Sequence, residues 1–473
     1  MSISGREKEI EMLNLVVQDD KSHFIAVYGR RRVGKTFLIR EAFGYRFTFQ
    51  HSGLAGGSFK EQLFAFSESL KENGLTIKKN PENWLEAFGL LKELVKQSTE
   101  KKKIIFIDEL SWMSTQKSGL IMALENFWNS FASARKDIIL IVCASATSWM
   151  LSEIVHNKGG LYNRLTEQIH LQPFTLKECE AYTQSAGLVL NRMQILQYYM
   201  IFGGVPYYWE FLEKGQSLFQ NVDRILFKND APLKEEFAYL YSSVFNQPQD
   251  YIRIVEALGK KKAGMTREEI IIATGIPNSG DLTKKLNELE SCGFIRKFIS
   301  FGSKRKNAVY QLVDCFTLFY YKFLVDQPND EHFWTNQLNT PLMNTWFGLA
   351  YERVCLLHLN QIKQSLGISG VLTESNSWSC RADADRGVFG SQIDLLIARK
   401  DQVINLCEIK YSESAFTVTG KTDMEIRNKI NDLRTVTGTK YAIFPTLITT
   451  YGLVTNSYSD SIQSVVTLDA LFL

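Results

Sequence analysis

No C-x-x-C pair occurs in this sequence; its seven cysteines lie scattered at positions 143, 179, 292, 315, 355, 380 and 407. That pattern argues against a disulfide framework and a structural zinc site, and for a reducing compartment. Long apolar runs are missing too. The longest, near residues 138–150, is interrupted by serine and threonine and is too short to span a bilayer. The opening MSISGREKEIEML lacks the basic-then-apolar order of a secretion signal, so a cytoplasmic protein with no membrane partner is expected. An excess of one charge is also absent: 54 basic residues face 51 acidic ones, for a net charge of +3. Any nucleic-acid footprint must therefore be local. There is no long repeat and no low-complexity segment. What remains is an ordinary globular composition, 45% hydrophobic and 22% charged over 473 residues. Such a length holds roughly three domains at about 100–200 residues each.

The stretch HFIAVYGRRRVGKTFLIREAF, from His23, reads as strand, loop and helix. Its loop fits G-x-x-x-x-G-K-[ST] through Gly29, Gly34, Lys35 and Thr36. Glycines let the backbone wrap phosphates, so that its N–H groups and the next helix's N-terminus face the anion. Lys35 then neutralises the β- and γ-phosphates and Thr36 holds magnesium. The candidate ATP-binding segment runs through Arg30, Arg31, Arg32 and Val33 to Phe37. The three arginines either contact phosphates or are simply solvated. A second strand, KKKIIFIDEL, ends in acids: Asp108 fits the metal-holding aspartate and Glu109 the base that polarises water. Between loop and acids lie a strand-like run, YRFTFQ (45–50), and the helical NWLEAFGLLKELVKQ. An inserted strand is the arrangement of the additional-strand, catalytic-glutamate P-loop ATPases. A further strand, DIILIVCAS, ends at Ser145, which either senses the γ-phosphate or is a plain strand-end serine.

With these motifs in order, the chain resembles the archaeal-type ATPases among the STAND and AAA+-like P-loop proteins. ISGREKE (3–9), GRRRVGKT, FIDEL, CASATSWM, GGLYNRLTEQIHLQPFT and FGGVPYYWEFL carry the resemblance. It implies that Gly204, Val205 and Pro206 lie in a helical lid behind the nucleotide. It also places Arg164 where related ATPases have a candidate arginine finger, acting within the chain or from a neighbouring subunit of a homo-oligomer. The other reading of Arg164 is a surface arginine near a helix end.

Residues 250–314 read as three helices and two strands. YIRIVEALGK is the first helix, TREEIIIATGI is opened by a capping box, and SGDLTKKLNELESCGFI is the third. The strands IRKFISF and NAVYQLVD are joined by GSKRK, the order of a winged helix-turn-helix. Lys284, Lys285, Lys304, Arg305 and Lys306 form a modest basic footprint for DNA phosphates. Asp281, Glu288 and Glu290 on the third helix favour the other reading, a module that packs on the ATPase as a hinge.

The segment SQIDLLIARKDQVINLCEIK (391–410) reads as a hairpin turning at KDQ. If Arg399 opposes Val403, Asp394 falls opposite Glu408, and Lys410 shares that face. Opposed carboxylates repel unless a divalent cation turns them into a ligand set; the alternative is solvated charges on an edge hairpin. The surrounding order is helix, strands, helix, strand. It is similar to the restriction-endonuclease-like, PD-(D/E)xK fold, although Ile393 stands where that motif has proline. The resemblance implies that Asp394 and Glu408 hold metal, that Lys410 orients water, that Glu352 is a first-helix glutamate and that Gln392 supports the site.

The expected class is therefore α/β: a P-loop ATPase core (1–175), a helical lid (176–245), a winged helix-turn-helix (246–316) and a nuclease-like domain (317–473). The resemblance implies an ATPase using ATP and Mg²⁺, coupled to a metal-dependent nuclease-like domain acting on DNA. The alternative is a STAND-type regulatory or signalling ATPase whose last domain is a non-catalytic binding module.

Overall fold

Five parallel strands form the first sheet: β1 (His23–Tyr28), β2 (Phe49–Ser52), β3 (Lys103–Asp108), β4 (Ile138–Ala144) and β5 (Glu167–His170), in the order β2-β3-β4-β1-β5. β1 and β4 are buried along their whole length. Parallel strands covered on both faces need such continuous apolar runs, which is why HFIAVY and IILIVCA contain almost no polar residue. The computed structural model describes residues 5–242, 244–245, 247–303, 307–326 and 329–473. The chain divides into two compact units, residues 1–173 with 242–246, and 174–241 with 247–473. Ile3 of the opening motif and the basic triplet Lys304, Arg305 and Lys306 lie outside the described residues.

The strand expected at 45–50 is shifted: Gly44 and Tyr45 have φ of 56° and 59°, a left-handed close to the preceding helix, and the strand runs from Phe49 to Ser52. That strand also lies at the sheet edge. The strand inserted in space between β1 and β3 is β4, which comes later in the chain. The helix expected from NWLEAFGLLKELVKQ is present as Trp84–Gln97, with the Asn83 side chain accepting from Glu86 N–H. Its apolar face packs Trp84 and Phe88 against Phe66 of the helix Phe59–Glu72.

In the second unit the aromatics near 198–209 are core. Tyr198, Phe202, Tyr208 and Trp209 are buried and pack on one another. Residues 249–312 form the helices Gln249–Gly259, Arg267–Thr274 and Gly280–Ser291. They also form a small antiparallel sheet of β6 (Met265–Thr266), β7 (Ile295–Phe298) and β8 (Val309–Leu312), ordered β6-β8-β7. The expected capping box closes: Glu269 N–H donates to Thr266 Oγ1 and Thr266 N–H donates to Glu269 Oε2. The short β6 has no counterpart in the sequence reading, because two residues carry no readable period.

The larger sheet of this unit contains β9 (Thr373–Ser379), β10 (Gln392–Arg399), β11 (Val403–Lys410), β13 (Ala442–Thr449) and β15 (Ser464–Val466), ordered β15-β13-β11-β10-β9. A separate pair joins β12 (Phe416–Thr417) and β14 (Leu453–Val454). β9, β10 and β11 are antiparallel, while β13 and β15 add in parallel. The hairpin β10–β11 is interior to the sheet rather than at its edge.

His358 ties helices of this unit together. Its Nε2 accepts from Leu176 N–H at 3.0 Å, and Nδ1 lies 2.8 Å from Val354 O, which fixes the neutral Nδ1–H tautomer. Complete burial pushes its pKa down to about 4. In the unfolded chain the ring takes a proton near its ordinary value, whereas the native ring refuses it. Stability is therefore lost as pH falls from about 6.5 towards 4. The expected loss at about pH 5 is on the order of 2 kcal/mol from this residue. Urea unfolding at about pH 7 and about pH 5 measures it against His358→Gln. An equal pH dependence in the two proteins would assign the acid lability elsewhere.

Candidate nucleotide site and a carboxylate cluster

The order β3-β4-β1 brings three strand ends together, as expected at the carboxyl edge of an open parallel sheet. The phosphate loop leaves β1 at Gly29, whose φ is 150°. A Cβ there would come within 2.2 Å of Leu171 O, so only glycine lets the loop pass. Lys35 Nζ donates to Gly29 O at 2.9 Å, Arg30 O at 3.0 Å and Ser145 Oγ at 3.1 Å. Thr36 Oγ1 donates to Asp108 Oδ2 at 2.6 Å. Ser145 Oγ donates to Glu109 Oε1 at 2.6 Å and Ser145 N–H to Glu109 Oε2 at 3.2 Å. Lysine, serine and glutamate thus form one chain.

Glu109 sits at φ 47°, a strained conformation for a non-glycine residue and one common where side chains are held for function. Gly53, just past β2, makes room for it, since a Cβ at Gly53 would lie 2.6 Å from Glu109 O. Arg6 of the opening motif, whose role the sequence did not disclose, anchors the loop from behind. Its Nη2 donates to Gln172 O at 2.7 Å and to Val33 O at 3.4 Å.

Arg30 is buried, Arg31 and Arg32 are half-buried, and Phe37 is exposed. Arg164 is exposed in the turn before β5, and its side chain has no hydrogen bond or ion pair among the described residues. Pro206 opens a short buried helix, Pro206–Trp209, in the second unit. There the Gly204 carbonyl accepts from Phe174 N–H at 2.6 Å, and a Cβ on Gly204 would overlap Phe174 O. Two residues of the expected basic footprint, Lys284 and Lys285, are described. Lys285 is held by Asp250 at 3.1 Å and by Asp281, which leaves Lys284 exposed.

A second cluster lies in the second unit. The β10–β11 ladder ends with Leu395 opposite Cys407, one position short of Asp394 and Glu408, which therefore lie at the same end of the hairpin. β10 shifts register against β9 between Ile393 and Leu396, an irregularity of the kind that re-aims a side chain. Ser377 Oγ donates to Asp394 O at 2.7 Å, and Gln392 Nε2 to Asp394 Oδ1 at 3.0 Å.

Both oxygens of Glu408 are taken by lysines: Lys429 at 2.6 Å and Lys410 at 2.9 Å. Burial opposes its ionisation, but the two ammonium groups outweigh burial and hold the carboxyl below its ordinary value. Lys410 is likewise raised, since the attraction of Glu408 and Asp394 overcomes its desolvation.

Glu352, on the helix Pro341–Leu357, is buried and accepts from Lys262 at 2.6 Å; Lys262 also lies 3.9 Å from Asp394 Oδ1. Burial, with the charge of Asp394, pushes the Glu352 carboxyl up to about 7. Its Oε2 has no hydrogen-bond partner among the described residues. The neighbouring Arg353 is buried too, and burial lowers its pKa. Among the described residues no group of three or more histidine, cysteine, aspartate or glutamate side chains is arranged to hold a metal ion.

Lys262, Arg353 and Lys429 are the members that sequence reasoning missed. Lys262 stands in a run of three lysines whose other two pair with Glu256 and Glu269 of their own module, so nothing local marks it.

Residues 4–211 match the model of an ATPase domain predominantly from Archaea. An uncharacterized protein of Methanocaldococcus jannaschii, MJECL04, is 26% identical over 369 residues, covering 76% of this chain and 78% of the relative. Among solved structures, the chain is similar to the Walker-type ATPase PABY2304 of Pyrococcus abyssi. That match has 17% identity and a TM-score of 0.46, covering 67% of this chain and 95% of that one. It is also similar to the ORC2 protein of Aeropyrum pernix in ADPNP–ADP complexes, with 14% identity and a TM-score of 0.33, covering 65% and 89%. No helix among the described residues is long and apolar enough to cross a membrane.

Proposed function

We propose that this chain, proceeding from an archaeal-type ATPase domain at its N-terminal end, binds and hydrolyses ATP. Its second unit is read as a winged helix-turn-helix joined to a restriction-endonuclease-like domain with a metal-dependent nuclease-type site for DNA. One observation carries the ATPase reading: Lys35, Thr36, Asp108, Glu109 and Ser145 converge at three adjacent strand ends. Loop N–H groups and Lys35 bind the β- and γ-phosphates, which replace the loop carbonyls that Lys35 now holds. A hydroxyl and a buried carboxylate 2.6 Å apart fit magnesium, so Thr36 and Asp108 would hold it. The ion supplies neutralisation of developing phosphate charge. Glu109 accepts the proton of the attacking water, and Ser145 holds Glu109 and Lys35 in register. Arg164, exposed and unengaged among the described residues, is read as the finger that a neighbouring copy would receive.

The nuclease-type reading is supported by element order and by Asp394 and Glu408 at one end of the β10–β11 hairpin, with Lys410 2.9 Å from Glu408 and Glu352 on the helix Pro341–Leu357. The domain boundaries 1–175, 176–245, 246–316 and 317–473 go with it. The lysines on Glu408 favour a second reading, a STAND-type regulatory or signalling ATPase whose last domain binds without cutting.

Phosphate release from ATP with magnesium tests the first unit. Lys35→Ala is expected to abolish ATP binding, and normal binding by that variant would sink the ATPase reading. Labelled single- and double-stranded DNA with magnesium or manganese, with and without ATP, tests the second unit. Cleavage lost in Asp394→Ala supports a nuclease. No cleavage, with a size change between ATP and ADP, supports the switch.

A further inference from the structure

Lys262 lies in the turn between the helix Gln249–Gly259 and β6. Its carbonyl accepts from Arg353 Nη2 at 2.6 Å and from Gln311 Nε2 at 2.7 Å. Gly264 closes the turn at φ 84°, so close to Tyr310 O that a Cβ would lie 2.5 Å from it. The turn is therefore fixed, and its lysine is aimed across to a helix ninety residues on.

Three lysines are consecutive here, and only the third crosses to the acids of the large sheet and its helix. It meets Glu352 at 2.6 Å and Asp394 at 3.9 Å. The Oε2 of Glu352, on a side chain only 9% exposed, is a buried acceptor with no donor among the described residues. A buried carboxylate oxygen without a partner is costly and is the natural ligand of a hard cation. The ammonium itself is half-exposed, and a cavity of about 240 Å³ reaches Asp394, Gln392 and Arg353 from beside Gly264 and Gln311.

We propose that Glu352 and Asp394, rather than Asp394 and Glu408, are the cation-binding pair of this domain, and that Lys262 is its resident cation, which a divalent ion must displace. The inference rests on the nuclease-type reading and refines it. With Lys262 and Arg353 beside two carboxylates, the local charge is already balanced, so an added divalent ion is opposed until the ammonium withdraws. Glu408 carries a lysine on each oxygen, Lys410 at 2.9 Å and Lys429 at 2.6 Å, whereas Glu352 has one oxygen that no lysine among the described residues holds. Moving the turn that carries Lys262 then opens the site, which gives the module at 249–312 a direct hold on it.

Manganese binding to the full chain, followed by electron paramagnetic resonance, tests this without any cleavage assay. Lys262→Ala is expected to bind Mn²⁺ about tenfold or more tightly than wild type, because a competing charge is gone. Adding Asp394→Asn or Glu352→Gln to that variant is expected to remove the gain, whereas adding Glu408→Gln is not. Lys262→Met, which keeps the stem packed, serves as a second variant should alanine disturb folding. Asp394-dependent binding of equal tightness in wild type and both lysine variants would overturn the exchange and leave the nuclease-type reading standing. Absence of Asp394-dependent binding in every protein would remove that reading and the inference together.

Discussion

Glu109→Gln is expected to lower ATP turnover by about a hundredfold or more, the usual contribution of a positioned general base. Nucleotide binding is expected to stay close to wild type. The amide keeps the shape of the carboxylate, and its oxygen can still accept from Ser145 Oγ, which keeps Lys35, Ser145 and position 109 linked, while its NH2 cannot replace the oxygen that accepts from Ser145 N–H. What is lost is a group able to take the proton of the attacking water. Single-turnover phosphate release beside equilibrium binding of a fluorescent ATP analogue separates the two effects. Turnover within a few-fold of wild type would place the base elsewhere and leave Glu109 a strand-end cap. Ser145→Ala distinguishes positioning from chemistry: its expected effect is smaller, and it falls on turnover because both partners lose their common hydrogen bond.

Glu408→Ala is expected to destabilise the second unit by about 3 kcal/mol, the range for breaking a buried ion pair from one side. The carboxylate is buried and holds Lys429 at 2.6 Å and Lys410 at 2.9 Å. Lys429 is the more enclosed of the two lysines and is left as an unpaired charge, whereas Lys410 can turn to water. Replacing Glu408 and Lys429 together by methionine is expected to recover most of the loss, since the enclosed lysine is gone with its partner and Lys410, the lysine that remains, can turn to water. The same group predicts acid lability. Its folded pKa lies below the unfolded value, so its stabilisation is complete above the unfolded pKa and disappears as pH falls through the lower, folded one. Urea unfolding of the variants measures the energies. A Glu408→Ala protein as stable as wild type would show that the lysines do not depend on it, and would return Glu408 to the list of metal ligands.

Several parts of this molecule were readable because the residues that define them are neighbours in the chain. Gly29, Gly34, Lys35 and Thr36 lie within eight positions, and one strand–loop–helix turn fixes their geometry. The register of β10 on β11 followed from the hairpin alone, because a three-residue turn sets it. Thr266 and Glu269 announced a helix start for the same local reason. Chain order and spatial order part in the first sheet. A strand does lie between loop and acids in the chain, as β2, but it takes the edge and β4 fills the place between β1 and β3, because sheet order is set by crossovers and not by sequence order.

Charge pairing was the least legible feature. Lys285, one of the expected basic footprint, is paired with Asp250 from another helix, which its own helix does not disclose. The sequence by itself determined the phosphate loop, the acids at the end of β3 and the hairpin that carries two carboxylates. Only the tertiary structure decided which cations those carboxylates meet. Lys262 and Lys429 come from elements far from them in sequence, and an ion pair depends on distance in space, which no local pattern encodes.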